Sequence, residues 1–517
     1  MTTPTPQAEL VLRGGVIRTL DPSNSVASAV AVRGERIVAV GGEEEIAGWI
    51  GPQTRILELN GACALPGIND SHLHGAWLGA LWPATLFDGP LPDLSPDDGA
   101  TVAPDGSPSG ADDAAGEADG EASGTAGDDA GAPADHHGEQ PRLVHNDEEL
   151  RAAILRAQRI AASLGITSYT EPGLGPGEDR GPTGVFGTRT LELYAELAAA
   201  GKLTSRVTAL ALFGLLDGNS ALETFESELR GLTAGTLGGA SNAGIAAASA
   251  DPAAQWRVSG VKVFADGIPP ARNAWIHGCY PEGGSGGLLI DANSTQEAAA
   301  ALRSMVTAAH QAGLQVAVHA TGDRTIDELA RTLESLGDPE AVRAARHYII
   351  HGDLASSEAI TRLGALGIGY NTQPVISVTT KDWLAAAVGQ DAGARAWPLL
   401  EVLDAGIRLA LTSDAPVVAP DWRATLAAAD AWMGPAEGAN ATEARMLMLL
   451  HAVTTAGAWQ DHAEDAKGTL EVGKLADIAI LAADPFSVAP AELPGIAVTH
   501  TLLGGRMVHS PEAPAIP

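Results

Sequence analysis

From residue 64 to about residue 414 the chain alternates short apolar runs with longer stretches of helical periodicity, eight times over. The first run is Ala64-Leu65-Pro66-Gly67-Ile68-Asn69-Asp70-Ser71, and the others cover 165–171, 205–213, 258–266, 314–319, 347–351, 368–372 and 407–414. Between them lie helical segments. The clearest begins at Asn146, an N-cap with Glu149 three residues on, carries Leu150, Ile154, Ala157, Ile160, Ala161 and Leu164 on one face, and stops at Gly165. Eight strand–helix units predict an α/β fold, a (β/α)8 TIM barrel. Both ends of the chain read differently. Leu10-Val11-Leu12, Val16 to Leu20, Ala29 to Val32 and Arg36 to Val40 are short strands between turns. Asp477 to Leu481 and Val498 to Leu503 match them, and Gly504-Gly505 followed by Arg506-Met507-Val508 is a hairpin signal. The simplest arrangement is a small β-sandwich built from both termini, residues 1–63 and 467–517, flanking a barrel over 64–466.

One stretch obeys neither pattern. Residues 89–141 contain no Lys, Arg, Phe, Trp, Tyr, Ile or Met, and they hold 13 carboxylates. Such a segment cannot bury enough apolar surface to offset its ordering entropy, so a disordered acidic insert is expected. His136-His137 lies in it, and with nothing to order that pair a metal role is not expected. The insert supplies a large share of the net charge of −33, so the folded part is less acidic than the total implies. The acidity argues against nucleic acid or an anionic membrane as partner and leaves a small-molecule substrate and a homo-oligomer open. Two distant cysteines, Cys63 and Cys279, suggest neither a disulfide framework nor a cysteine zinc site and fit a cytoplasmic location. No signal peptide or bilayer-length apolar run is apparent.

The strand ends carry chemistry. Strand 1 ends in His72-Leu73-His74, whose imidazoles share one face of an extended chain. Strand 4 places Lys262 inward if Val261 and Val263 face the helices. Strand 5 ends in His319, strand 6 in His351 and strand 8 in Asp414. In parallel α/β folds the C-terminal rim is where chemistry is done. Imidazole and carboxylate suit Zn²⁺, and also Mn²⁺, Fe²⁺ or Co²⁺. A bound metal lowers the pKa of its water to about 7 and polarises a carbonyl, and Asp414 is the natural group to take that water's proton and deliver it to a leaving nitrogen. Lys262 fits beside cations if it has become an anionic carbamate bridging two ions about 3.5–4 Å apart. Alternatively it stays charged and binds substrate or pairs with Asp266.

The strings Pro66-Gly67-Ile68-Asn69-Asp70-Ser71-His72-Leu73-His74, Val261-Lys262-Val263-Phe264-Ala265-Asp266-Gly267, Val318-His319-Ala320-Thr321-Gly322-Asp323, Ser413-Asp414-Ala415-Pro416 and Gly473-Lys474-Leu475-Ala476-Asp477 resemble the amidohydrolase superfamily, most closely its YtcJ-like (amidohydrolase 3) group, over nearly the whole chain. The resemblance implies hydrolysis of a non-peptide C–N bond, an amide or formamide, with His72, His74, Lys262, His319, His351 and Asp414 around one or two divalent ions, zinc first. A one-metal deaminase of a small heterocycle, with Lys262 unmodified, is the alternative; a non-catalytic scaffold would lack ligands, and none is missing. Two positions depart from the group. Gln373-Pro374 is followed by Val375-Ile376 where a histidine is common, and Glu171 ends strand 2 where aspartate is common. Glu171 is read either as orienting a histidine or as a helix-capping or solvated acid. Asp323 and Arg324 are expected to order the loop after His319, His347 to be structural, and Trp77, Trp82 and Trp275 to wall a pocket or pack the core.

Overall fold

A computed structural model describes residues 7–87, 141–237, 251–436 and 438–512. The acidic stretch 89–141 lies outside the described residues but for Pro141, and His136-His137 lies outside them too. Strands β1 (Leu10–Arg18), β2 (Val26–Arg33), β3 (Arg36–Gly41), β4 (Arg55–Glu58) and β5 (Cys63–Pro66) join β14 (Ile478–Leu481), β15 (Val498–Leu503) and β16 (Arg506–His509) in one sheet from both ends of the chain. β1 is its hub, antiparallel to β2 and parallel to β4 and β5. Gly504 and Gly505, both at positive φ, make the turn of the last hairpin. Alternation sends Leu10, Leu12, Val30, Val32, Ile478 and Ile480 into one apolar cluster and Val11, Ala29 and Ala31 into another.

The second sheet is all parallel: β6 (Ile68–Asp70), β7 (Ile166–Leu174), β8 (Arg206–Leu212), β9 (Trp256–Phe264), β10 (Gln315–Ala320), β11 (Tyr348–His351), β12 (Gly369–Thr372) and β13 (Leu409–Leu411), paired in chain order. Helices α1 (Gly75–Leu81) and α2 (Asp147–Ser163) follow β6, α3 (Thr188–Ala199) follows β7 and α4 (Asp323–Glu334) follows β10. β6 and β13 meet through a parallel bridge between Leu73 and Ala415. The Asp414 N–H donates to the His72 carbonyl and the His74 N–H to that of Ala415, both at 2.8 Å. These bonds make the sheet a closed TIM barrel. Helix α2 starts as its cap predicts: the Asn146 side chain accepts the Glu149 N–H, and the Glu149 carboxylate accepts that of His145.

The apolar run before His72, expected as one strand, is two. Cys63–Pro66 pairs in the terminal sheet and Ile68–Asp70 in the barrel, with Gly67 between them. Gly67 donates its N–H to the Asp477 carbonyl, and a Cβ there would lie 2.0 Å from Thr167 Oγ1. Gly67→Ala should therefore destabilise the chain by about 1–3 kcal/mol through overpacking; an unchanged denaturation midpoint would contradict this crowding. The two sheets are also pinned by a buried ion pair, Arg206 on Asp477 at 2.7 and 3.1 Å, with the Gly504 N–H donating to the same carboxylate. Beneath the barrel, Asp461 is buried among Lys467 at 2.6 Å, Asn69 at 3.0 Å and Arg257 at 3.7 Å, and Lys467 also donates to Ser168. Among the described residues no helix is long and apolar enough to cross a membrane.

Candidate metal centre

The C-terminal ends of strands β6, β10, β11 and β13 bring four imidazoles and one carboxylate to a common rim, and all five residues are buried or nearly so. Asp414 Oδ1 lies 3.0 Å from His72 Nε2 and 3.4 Å from His74 Nε2. One ligand atom from each of these three residues lies within 4.8 Å of the others. The His351 ring is 5.6 Å from that of His72 and 4.4 Å from that of His319. Asp414 and His351 both hold the left-handed backbone region, at φ 59° and 70°. That conformation costs a non-glycine residue about 1–3 kcal/mol and persists where the surroundings over-determine it, as at functional sites.

The hydrogen-bond partners fix which nitrogen each ring leaves free. Gln373 donates its Nε2–H to Thr412 Oγ1, so its Oε1, 2.8 Å from His351 Nδ1, accepts a hydrogen bond from that ring's N–H. His351 Nε2 then carries the lone pair. His319 is the reverse: its Nε2–H donates to the Gly267 carbonyl at 3.1 Å, and its Nδ1 is buried without a partner. Burial drives the pKa of His72 down to about 3, that of His351 to about 4 and that of His319 well below the usual imidazole range, so all three are neutral lone-pair donors at pH 7. Burial also opposes charge on His74, but Asp414 and Glu171 outweigh it and lift its pKa to about 9. The same two carboxylates that attract a proton there attract a cation. Burial works against the Asp414 carboxylate as well, yet His72, His74 and His351 hold it well below the carboxylate range and so ionised. Neutral imidazoles and one buried carboxylate are a donor set suited to Zn²⁺.

Lys262 points into the barrel: it is buried, its amine lies 4.5 Å from the Phe264 ring centre, and its charge acts on His72, His319, His351 and Asp414 at the rim. Burial lowers its pKa to about 8. The pairing with Asp266 does not form. Asp266 instead accepts the N–H groups of Trp275, Thr321 and Gly322 and the Thr325 hydroxyl, which ties the loop after β9 to the loop after His319. Asp323 adds to that tie by accepting the His277 N–H, and Arg324 lies over the Trp275 ring at 4.2 Å. His347 is structural: its Nδ1 accepts the Val316 N–H and its Nε2 meets His310 Nδ1 at 3.0 Å. Trp77 packs with Phe186 against His74. Of the readings of Glu171, the helix cap is what the structure shows, and the buried carboxylate is not solvated. One oxygen accepts the Gly75 and Ala76 N–H groups at the start of α1, and the other faces His74 Nδ1 at 3.7 Å.

Sequence reasoning missed Asp70 and Gln373. Asp70 accepts the Ser413 hydroxyl and the backbone N–H groups of Ser413 and His72, which locks the segments carrying His72 and Asp414 together. Its position inside the Asn69-Asp70-Ser71-His72 string was the available signal. Gln373 orients His351, and its signal was the Gln-Pro pair after strand 7.

A ring of strand-end histidines closed by an aspartate on a (β/α)8 barrel defines a class of hydrolytic site. The chain belongs to the amidohydrolase family, whose sequence profile matches residues 100–509. That span leaves out His72 and His74, whose assignment rests on the geometry above. The chain is 26% identical to the YtcJ amidohydrolase of Bacillus subtilis (strain 168) over 256 residues, 48% of this chain and only 46% of that protein. It is 22% identical to the N-substituted formamide deformylase of Arthrobacter pascens over 97% of this chain and 98% of that one. Among solved structures, a metal-dependent hydrolase from Pyrococcus horikoshii superposes with a TM-score of 0.63 at 20% identity, covering 93% of this chain and 99% of that one.

Proposed function

We propose that this chain is a metal-dependent amidohydrolase that cleaves a non-peptide C–N bond, of amide or formamide type, in a small molecule. The observation that carries this reading is the buried convergence of His72, His74 and Asp414 at the barrel rim. The end-to-end alignment with a formamide deformylase supports the choice of bond. His72, His74 and Asp414 would hold a divalent ion, most simply zinc, with His319 and His351 completing the set. Such an ion supplies an activated water and polarises the substrate carbonyl. The residues supply the rest. Asp414, kept ionised by its histidine neighbours, takes a proton on a carboxylate oxygen and returns it to the departing nitrogen. Gln373 and the Gly267 carbonyl hold the His351 and His319 rings in opposite tautomers. Lys262, with its pKa near 8, has a neutral fraction able to react with CO₂, and its carbamate would add an anionic donor.

The test is a hydrolysis screen over N-formyl, N-acyl and cyclic amides. Turnover should vanish on chelation and return with zinc. Two ions per chain would accompany a carbamate on Lys262, and one ion a free amine. Turnover indifferent to chelation would overturn the proposal.

A further inference from the structure

We propose that Tyr194 is a positioning residue for His74, acting through Glu171 at the head of a buried hydrogen-bond chain that starts on the buried face of α2. The inference rests on His74 being a metal ligand. The chain begins at Gln158 in α2, whose Oε1 accepts the N–H groups of Thr204 and Ser205 just before β8, at 2.6 and 2.7 Å. Its Nε2 donates to the Tyr169 hydroxyl at 2.8 Å. Tyr169 and Tyr194 hydroxyls lie 3.1 Å apart, and the Tyr194 hydroxyl donates to Glu171 Oε2 at 2.9 Å. A carboxylate only accepts, so the Tyr194 proton is committed to Glu171 and the Tyr169 proton must point at Tyr194. Every donor from Gln158 onward therefore points the same way, toward Glu171, an arrangement in which each bond polarises the next.

Glu171 passes this on. Its Oε2 takes three donors, namely Tyr194 and the N–H groups of Gly75 and Ala76. The carboxylate cannot turn, so Oε1 is left aimed at His74 Nδ1, 3.7 Å away, and both of those atoms are buried without another partner. When a cation takes the place of the Nε2 proton, the proton kept on Nδ1 facing Oε1 leaves the Nε2 lone pair on the Asp414 side. Gly75 makes the convergence feasible. A Cβ there would sit 2.7 Å from the Tyr194 hydroxyl, 2.8 Å from that of Tyr169 and 3.0 Å from Glu171 Oε2. The Tyr194 ring itself is held independently, stacked on Trp256 at 5.1 Å and 6° between planes. Tyr194→Phe thus removes one hydroxyl and leaves the packing in place.

The experiment titrates apo protein with Zn²⁺ against a competing chelator and records the visible absorption of the Co²⁺-loaded form. Tyr194→Phe should bind Zn²⁺ about 10-fold more weakly and Glu171→Gln up to about 100-fold more weakly, each with a shifted Co²⁺ band. Tyr169→Phe, one link further out, should lose less. Gly75→Ala, which crowds the cradle, should shift the band as well. Zinc affinity and cobalt spectrum unchanged in Tyr194→Phe would overturn the inference while leaving the metal centre standing. No zinc binding by the unsubstituted chain would overturn the metal centre and this inference together.

Discussion

Asp414→Asn should retain much of its bound metal and lose turnover by about 10²–10⁴-fold, whereas His72→Ala should lose both metal and turnover. The contrast follows from what each group does. An asparagine at 414 keeps a carbonyl oxygen near His72 and His74 but has no carboxylate to receive a proton, and proton transfer by a placed acid or base is worth about that factor. Removing the His72 imidazole deletes one of the three donors that lie within 4.8 Å of one another. Neither change should unfold the chain, because the bonds that close the barrel there come from the backbone of His72 and Asp414 and from the Asp70 side chain. Metal content and kcat/KM measured on the two purified variants decide the matter. Equal turnover in Asp414→Asn and the unsubstituted chain would remove Asp414 from the chemistry.

Asp461→Ala should destabilise the chain by about 3–5 kcal/mol, as the loss of one partner of a buried ion pair does. Asp461 is the only carboxylate paired with both Lys467 and Arg257 among the described residues, and all three are buried. Removing it leaves two cations without an anion in a water-poor floor. Against a total stability of about 5–15 kcal/mol, that is a large fraction. Acid should reproduce part of the loss. Burial opposes the Asp461 charge, but Lys467, Arg257 and the hydrogen bonds from Lys467 and Asn69 outweigh it and hold the carboxyl below its ordinary range. A depressed folded pKa means the stabilisation is complete above the unfolded value, about 3.9, and fades as pH falls through the lowered one. Urea titrations from neutral to acid pH should show this loss in the unsubstituted chain and a shallower one in Asp461→Ala. A midpoint within experimental error of the unsubstituted chain would show that the three groups do not depend on one another.

The barrel was legible because its strands are short, buried and rich in β-branched and apolar residues while several of its helices are amphipathic, so the period of the pattern changes between them. The rim residues were legible for a related reason. His319, His351 and Asp414 each end an apolar run, where a polar residue has no packing role to explain it. What stayed hidden depends on long-range contact. Nothing local says that the run before His72 divides at Gly67 between two sheets, because both halves are fully buried and the division is set by the contacts of Gly67 with Thr167 and Asp477. Gln158 looks like a polar interruption on the apolar face of α2, and only the fold reveals that it reaches Tyr169 and the start of β8. Lys262 could be given a direction from Val261 and Val263, but that Asp266 is already committed to four other donors needed the loops in place.

The two hydrogen bonds that join the first and last barrel strands are made by the backbones of His72, His74, Asp414 and Ala415. This has a bearing on how the protein is made. A ribosome delivers the two histidines early and the aspartate more than three hundred residues later. Until the eighth strand is in place the seam cannot form, and the Asp414 carboxylate that faces both histidines is missing. A half-synthesised chain therefore lacks one of the three residues whose ligand atoms lie within 4.8 Å of one another. The His72, His74 and Asp414 group is thus assembled by the same event that completes the ring, and under the proposed function the site would become competent for an ion at the end of folding rather than at its beginning.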